Sequence, residues 1–178
     1  LGDFFLDRPH RHEAAFAVLS RDAQARLLPL LRDNHRLAAW HQPRYSMVAY
    51  PWAQQYQQSN QWAIETLAMA EEPSADSRDR AQAWLRFKGY QPSTLRLGPM
   101  TPLGASAGSA PIRFHHHPNA KRFSDHIETV TVDSVFAWLQ RSALAGSLPS
   151  QRPAMWLCNV TVMCGSAGSA GFSVSRLT

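Results

Sequence analysis

The sequence predicts an α+β fold, an antiparallel sheet of four or five short strands with helices packed on one side. Three observations carry that expectation. Apolar runs of strand length recur at residues 13–19, 45–50, 94–97 and 126–132. Between them, apolar residues return at helical spacing, as at Ala81, Trp84 and Leu85. Gly, Pro and small polar residues punctuate the junctions, so strands and helices alternate as short separate pieces.

In chain order, residues 1–11 read as a loop with a turn at Asp7-Arg8-Pro9. Residues 13–19 form a buried strand, because Ser20 and Asp22 then offer a helix start. The leucines at 27, 28, 30 and 31 make a helical stripe over residues 21–32, and Pro29 within it predicts a kink or an early end. A short helix at residues 34–40 stops before Gln42-Pro43. Residues 45–50 form a strand, residues 51–58 a polar and aromatic crossing, and a helix begins at Ser59 or Asn60, capped by a small polar residue. Ser74 to Ser77 cap the next helix, which runs to Lys88 and stops at Gly89. Residues 94–97 are a strand, 104–111 a small-residue loop, and 112–114 a resumption of the sheet. Residues 126–132 alternate apolar with polar as a half-buried strand does, and Asp133 caps a last helix with Val135, Phe136 and Leu139 inward.

With 178 residues, 44% of them hydrophobic, the chain is long enough to bury a core as one domain, residues 1–144, followed by an atypical or flexible tail, residues 145–178. The 18 Lys and Arg against 13 Asp and Glu leave +5, but the basic residues are scattered among helix faces, which argues against a nucleic-acid partner. No window approaches the roughly 20 apolar residues of a membrane span. Cys158 and Cys164, with five residues between them, fit neither a redox pair nor a zinc pair. The opening Leu1-Gly2-Asp3-Phe4 reads as the interior of a longer protein.

A strand handing over to a helix at Ser59 is a place where a nucleophile gains from the free N–H groups and dipole of the helix. It is equally how an ordinary helix starts. Asp125 beside His126 gives the residue types of a Ser-His-Asp arrangement with Ser59. Tyr50, Trp52, Tyr56, Asn60 and Trp62, near Tyr45, supply the aromatic and amide groups of a ligand groove, or else of a core. His115-His116-His117 cannot all reach one ion from an extended chain and read as a solvated loop, so no metal is expected. His10 and His12 read as surface, and Asn159-Val160-Thr161 fits a glycosylation acceptor. Glu65 and Glu71 lie on different helix faces, against a paired-carboxylate mechanism. No pattern implies a cofactor.

The segments LGDFFLD, RYSMVAYP, SNQW, AWLRFKGYQPSTLR and TVTVDSVFAWL, in that order, resemble the bacterial family DUF2145 over roughly residues 1–140. More distantly, such proteins are similar to permuted papain-like proteins related to the NlpC/P60 amidases, in which a His-bearing strand precedes a nucleophilic Cys at a helix N-terminus. The resemblance implies a papain-like permuted core, incomplete here for want of that first strand, and a periplasmic or secreted location. It places Ser59 at the nucleophile position and Trp62 at the following apolar one. Serine in place of cysteine implies a chain without catalytic activity in this form. The alternatives are an amidase or peptidase acting on peptide or cell-envelope material, and a peptide- or glycan-binding module.

Overall fold

The computed structural model of the chain describes residues 16–96, 112–122 and 126–145. Ser20 caps the first helix, its hydroxyl accepting the Ala23 N–H at 3.2 Å. Helix α1 (Arg21–Leu31) buries Ala23, Leu27 and Leu30 along one stripe. Pro29 has no N–H for the ladder, and the helix continues only two residues beyond it. Asp33 then caps α2 (Asn34–Ala39) by accepting the Arg36 N–H at 3.0 Å.

The central helix α3 (Ser59–Glu71) begins at Ser59 as predicted, but its cap differs. Gln58 occupies the N-cap without a side-chain cap bond, because its amide donates instead to Thr129 Oγ1 at 2.6 Å. Helix α4 (Arg78–Phe87) follows, buried through Ala81, Gln82 and Leu85, with Trp84 partly covered. Gly89, at φ +72°, lets Tyr90 N–H return to Leu85 O at 2.9 Å and closes the helix end.

The strands β1 (Ser93–Arg96) and β2 (His126–Thr129) pair antiparallel, Ser93 opposite Thr129 and Arg96 opposite His126. In β2 the side chains alternate, Ile127 and Thr129 buried, as the sequence pattern predicts. A single helical turn, α5 (Asn119–Arg122), precedes β2, and Lys121 and Glu128 form an ion pair between them. Helix α6 (Val132–Arg141) is capped by Thr131, not Asp133: Thr131 Oγ1 accepts the Ser134 N–H while Ser134 Oγ accepts the Thr131 N–H, a reciprocal capping box.

The α+β class stands, but the sheet is smaller than expected: among the described residues it has two strands. Residues 45–50 are not a strand. Ala49 N–H folds back to Ser46 O at 2.9 Å, Tyr45 makes one isolated bridge to Gln57, and Met47 is half exposed, so this apolar run wraps a turn with no neighbouring strand among the described residues to complete a ladder. Residues 16–19 likewise contribute only a bridge from Leu19 to Ala145, the remainder of that predicted strand lying outside the described residues. Residues 112–114 are irregular too, held by Arg113 N–H donating to Ser46 Oγ at 3.1 Å.

One apolar cluster unites the helices. Leu27 and Leu30 of α1, Ile64, Leu67 and Ala68 of α3, Leu85 of α4 and Trp138 and Leu139 of α6 are buried together with Tyr90 and Val130. Each fully buried large side chain contributes roughly 1.5–3 kcal/mol. Tyr90 and Trp138 meet edge to face at 6.1 Å, and the Tyr90 hydroxyl lies 2.8 Å from Ser134 Oγ.

Candidate functional site

Beside that apolar core, α3 carries a second, polar one. Glu65 is 1% exposed, one helical turn after Gln61, and its carboxylate collects five hydrogen bonds from four side chains. Arg78 Nε donates to Oε2 at 2.8 Å and its Nη2 to Oε1 at 3.3 Å, a forked pair across α3 and α4. Gln57 donates at 2.7 Å, Gln82 at 2.7 Å and Gln61 at 3.2 Å. A buried carboxylate is tolerable only with such partners.

The same donors hold the crossing that precedes the helix. Arg78 Nη1 donates to Gln54 O and its Nη2 to Tyr56 O; Gln61 donates to Pro51 O; Gln54 donates to Gln82 Oε1. Residues 51–57 have no regular backbone ladder, so these side chains satisfy their carbonyls instead. The result is an irregular segment pinned at several points, with Gln55 exposed and Tyr56 half-buried on its outer side.

The three histidines close over this segment, which corrects the solvated-loop expectation. They lie in a turn rather than an extended run, and His117 is 3% exposed. His117 Nε2 donates to Val48 O at 2.7 Å, while His116 Nε2 accepts the Tyr50 N–H at 2.9 Å. The second bond requires a neutral imidazole at His116. Burial, with His117 and His115 beside it, pushes the His116 pKa down to about 4. Tyr56 packs against His115 and His116 with ring centroids 5.4 and 4.7 Å away, and His115 Nε2 stands 3.2 Å from both the Tyr56 hydroxyl and Gln55 Nε2. Among the described residues no group of three His, Cys, Asp or Glu is arranged to hold a metal ion.

The predicted groove residues separate into two sets. Tyr50 and Tyr56 join the histidine turn, Tyr50 lying 5.3 Å from His117. Trp52 and Trp62 pack on the apolar core, and Arg86 covers the Trp52 ring at 4.3 Å. Asn60 donates to Val130 O at 3.3 Å, tying the helix start to the end of β2. Ser59 sits in the first turn of α3, partly exposed, and its hydroxyl makes no hydrogen bond to another described residue. His126 opens β2, whereas Gln58 meets that strand at Thr129, three residues or roughly 10 Å further along. Asp125 lies outside the described residues.

Sequence reading missed the Glu65 network by treating Glu65 only as half of a carboxylate pair. A signal was present: five glutamines fall within residues 54–61, and Gln61 and Glu65 stand at the i, i+4 positions of a helix that also carries Trp62, Ile64, Leu67 and Met69. Among the described residues no helix is long and apolar enough to cross a membrane. No curated protein and no solved structure matches the chain. A family model described as an uncharacterized protein conserved in bacteria (DUF2145) matches residues 1–139, the span that holds the central helix, its polar core and the histidine turn, and the chain therefore belongs to that family.

Proposed function

We propose that this chain acts by recognition rather than by bond cleavage, binding a peptide at the rim formed by Gln55, Tyr56 and His115. The observation that carries the reading is the Glu65–Arg78 network, which spends a buried ion pair and three glutamines on holding an irregular segment in one shape. Preorganised loops lose less entropy on binding, and a buried polar network fixes a conformation more than it adds stability. The rim offers what a peptide backbone needs: an amide at Gln55, a hydroxyl at Tyr56 and an imidazole at His115, beside an aromatic face.

The resemblance to permuted papain-like proteins supports a bacterial-envelope setting, periplasmic or secreted, with envelope-derived peptide as the ligand. The competing reading rests on residue types alone: Ser59 attacks an amide with His126 as base and Asp125 orienting it. The test separates the two. The 15N-labelled protein is titrated with a soluble peptidoglycan stem peptide, and a fluorophosphonate probe is applied in parallel. Recognition is expected to shift the amides of Gln55, Tyr56 and His115, to weaken at least about tenfold on Tyr56→Ala, and to ignore Ser59→Ala. Probe labelling of Ser59 that His126→Ala abolishes would overturn it in favour of the hydrolase. Fractionation of the native host, with the chain found in the cytoplasm, would overturn the envelope setting.

A further inference from the structure

At 100° per residue, α4 turns Arg78 and Gln82 toward the polar core and Arg80, Ala83, Trp84 and Phe87 to the opposite side. There they line a shallow open cavity of about 400 Å³, with Glu72 and Ser74 on its other wall. That volume is within the range of ligand sites, roughly 300–1,000 Å³.

The chemistry of the lining is specific. Phe87 is 82% exposed, and no other large apolar side chain among the described residues is so open to solvent. Trp84 packs edge to face against buried Trp138, ring centroids 6.1 Å apart, which backs the ring on its inner side. Ser74 donates its hydroxyl (2.7 Å) and its N–H (3.2 Å) to Glu72 Oε1, which keeps that carboxyl below its usual range and ionised. Arg80 is aimed by Asp76 Oδ1 at 3.1 Å and Ser74 O at 3.3 Å. Lys88 Nζ stands over the Trp84 and Phe87 rings, 5.5 Å from each centroid, so a ligand laid on those faces displaces this flexible side chain.

We propose that this cavity binds a neutral saccharide, its pyranose face laid on Trp84 and Phe87 and its hydroxyls bonded to Glu72, Ser74 and Arg80. Hydroxyl groups both donate and accept, so a ligand with several of them matches fixed acceptors and donors set side by side, as Glu72 and Arg80 are. An anion meets Lys88, but Arg80 is already paired with Asp76 and the Glu72 carboxylate in the same lining repels it. A cation meets Arg80 and Lys88. A purely apolar ligand strands the carboxylate and guanidinium of the lining, at a desolvation cost. The site shares no residue with the Gln55–Tyr56–His115 rim and does not depend on it.

The experiment is an amide-shift titration of the full chain with three disaccharides: N,N′-diacetylchitobiose, cellobiose and maltose. At least one is expected to give saturable shifts at Glu72, Ser74, Arg80 and Phe87 and at the Trp84 indole. Phe87→Ala, at an exposed position that leaves the core intact, is expected to weaken that binding about tenfold or more, and Arg80→Ala to weaken it without altering the spectrum elsewhere. Saturable shifts with none of the three would overturn the proposal. So would shifts confined to Gln55, Tyr56 and His115, or self-association by sedimentation that Phe87→Ala abolishes, which would identify a second copy as what covers the rings.

Discussion

Helix α3 is packed on two sides by different physics. Ile64, Leu67 and Ala68 meet α1, α4 and α6 through apolar contact, while Gln61 and Glu65 meet α4 and the 51–57 segment through directed hydrogen bonds. Apolar packing is non-directional and tolerates small shifts at modest cost. The polar side has few alternatives, because displacing any donor leaves Glu65 short of a partner in a place water does not reach. One side makes the fold stable; the other decides where an irregular segment sits.

The sharpest way to break this contrast is to remove the cation. Arg78→Ala leaves Glu65 buried without its partner and is expected to cost about 3–5 kcal/mol, against about 0.5–1.5 kcal/mol for Ile64→Val on the apolar side. Urea denaturation midpoints compare the two directly. The joint change Glu65→Met with Arg78→Leu is expected to recover only part of the stability, because Gln57, Gln61 and Gln82 lose a shared acceptor, while amide exchange at Gln57 becomes faster. If Arg78→Ala costs no more than Ile64→Val, the polar side is only another piece of core.

Acid titration is the next discriminator, because the histidine turn rests on the polar side through a neutral imidazole. The His116 pKa in the folded chain, about 4, lies below its unfolded value of roughly 6.5. The unfolded chain therefore takes up the proton first. The stability this bond represents is present above pH 6.5, falls as pH drops toward 4 and declines no further below that. With partial exposure discounted, the loss is expected to be about 2 kcal/mol. His116→Gln, which keeps an acceptor for the Tyr50 N–H but cannot titrate, is expected to flatten the slope between pH 6.5 and 4. Ile64→Val should lower the whole curve uniformly. An unchanged slope in His116→Gln would assign the acid sensitivity to other groups.

The same division explains what was legible in the sequence. The helices could be read because burial of Leu27, Leu30, Ala81 and Leu85 imposes a period, and Gly89 ends α4 for a reason local to the backbone. The β2 alternation was legible for the same kind of reason. The apolar run at residues 45–50 misled because composition does not say whether a partner strand exists, and here Ser46 and Ala49 close a turn. The groove residues could be named but not sorted, since Trp52 faces Tyr90 and Arg86 while Tyr56 faces the histidines only through tertiary contacts. The Glu65 network was least legible of all. Its partners come from positions 57, 61, 78 and 82, and although Gln61 and Glu65, like Arg78 and Gln82, stand at i, i+4, that spacing on polar residues reads as readily as a solvated face.

Two helix ends extend the comparison to the backbone. Helix α4, on the polar side, closes with Gly89 at φ +72°, and a Cβ added there would meet nothing within 4 Å. Gly89→Ala is thus a pure backbone test, expected to cost about 1 kcal/mol from the left-handed conformation, read as a lower thermal midpoint. A larger loss would mean that the Tyr90 N–H bond to Leu85 O, and with it the Trp138 contact, also fails.

Helix α6, on the apolar side, closes in the same way without glycine. Ala143 takes φ +54°, Leu144 N–H returns to Leu139 O at 3.1 Å, and Ala143 N–H returns to Gln140 O at 3.3 Å. The left-handed conformation costs an alanine roughly 1–2 kcal/mol, whereas glycine there loses roughly 0.5–1 kcal/mol of extra chain entropy on folding. The two nearly cancel, so Ala143→Gly is expected to stabilise by no more than about 1 kcal/mol, seen as a small rise in thermal midpoint with acid sensitivity unchanged. What holds Ala143 in that conformation is the next two residues, Leu144 against the core cluster and Ala145 bridged to Leu19, so the apolar side supplies the strain energy through packing. A destabilising Ala143→Gly would show that the strain held at Ala143 is smaller than glycine's entropic cost.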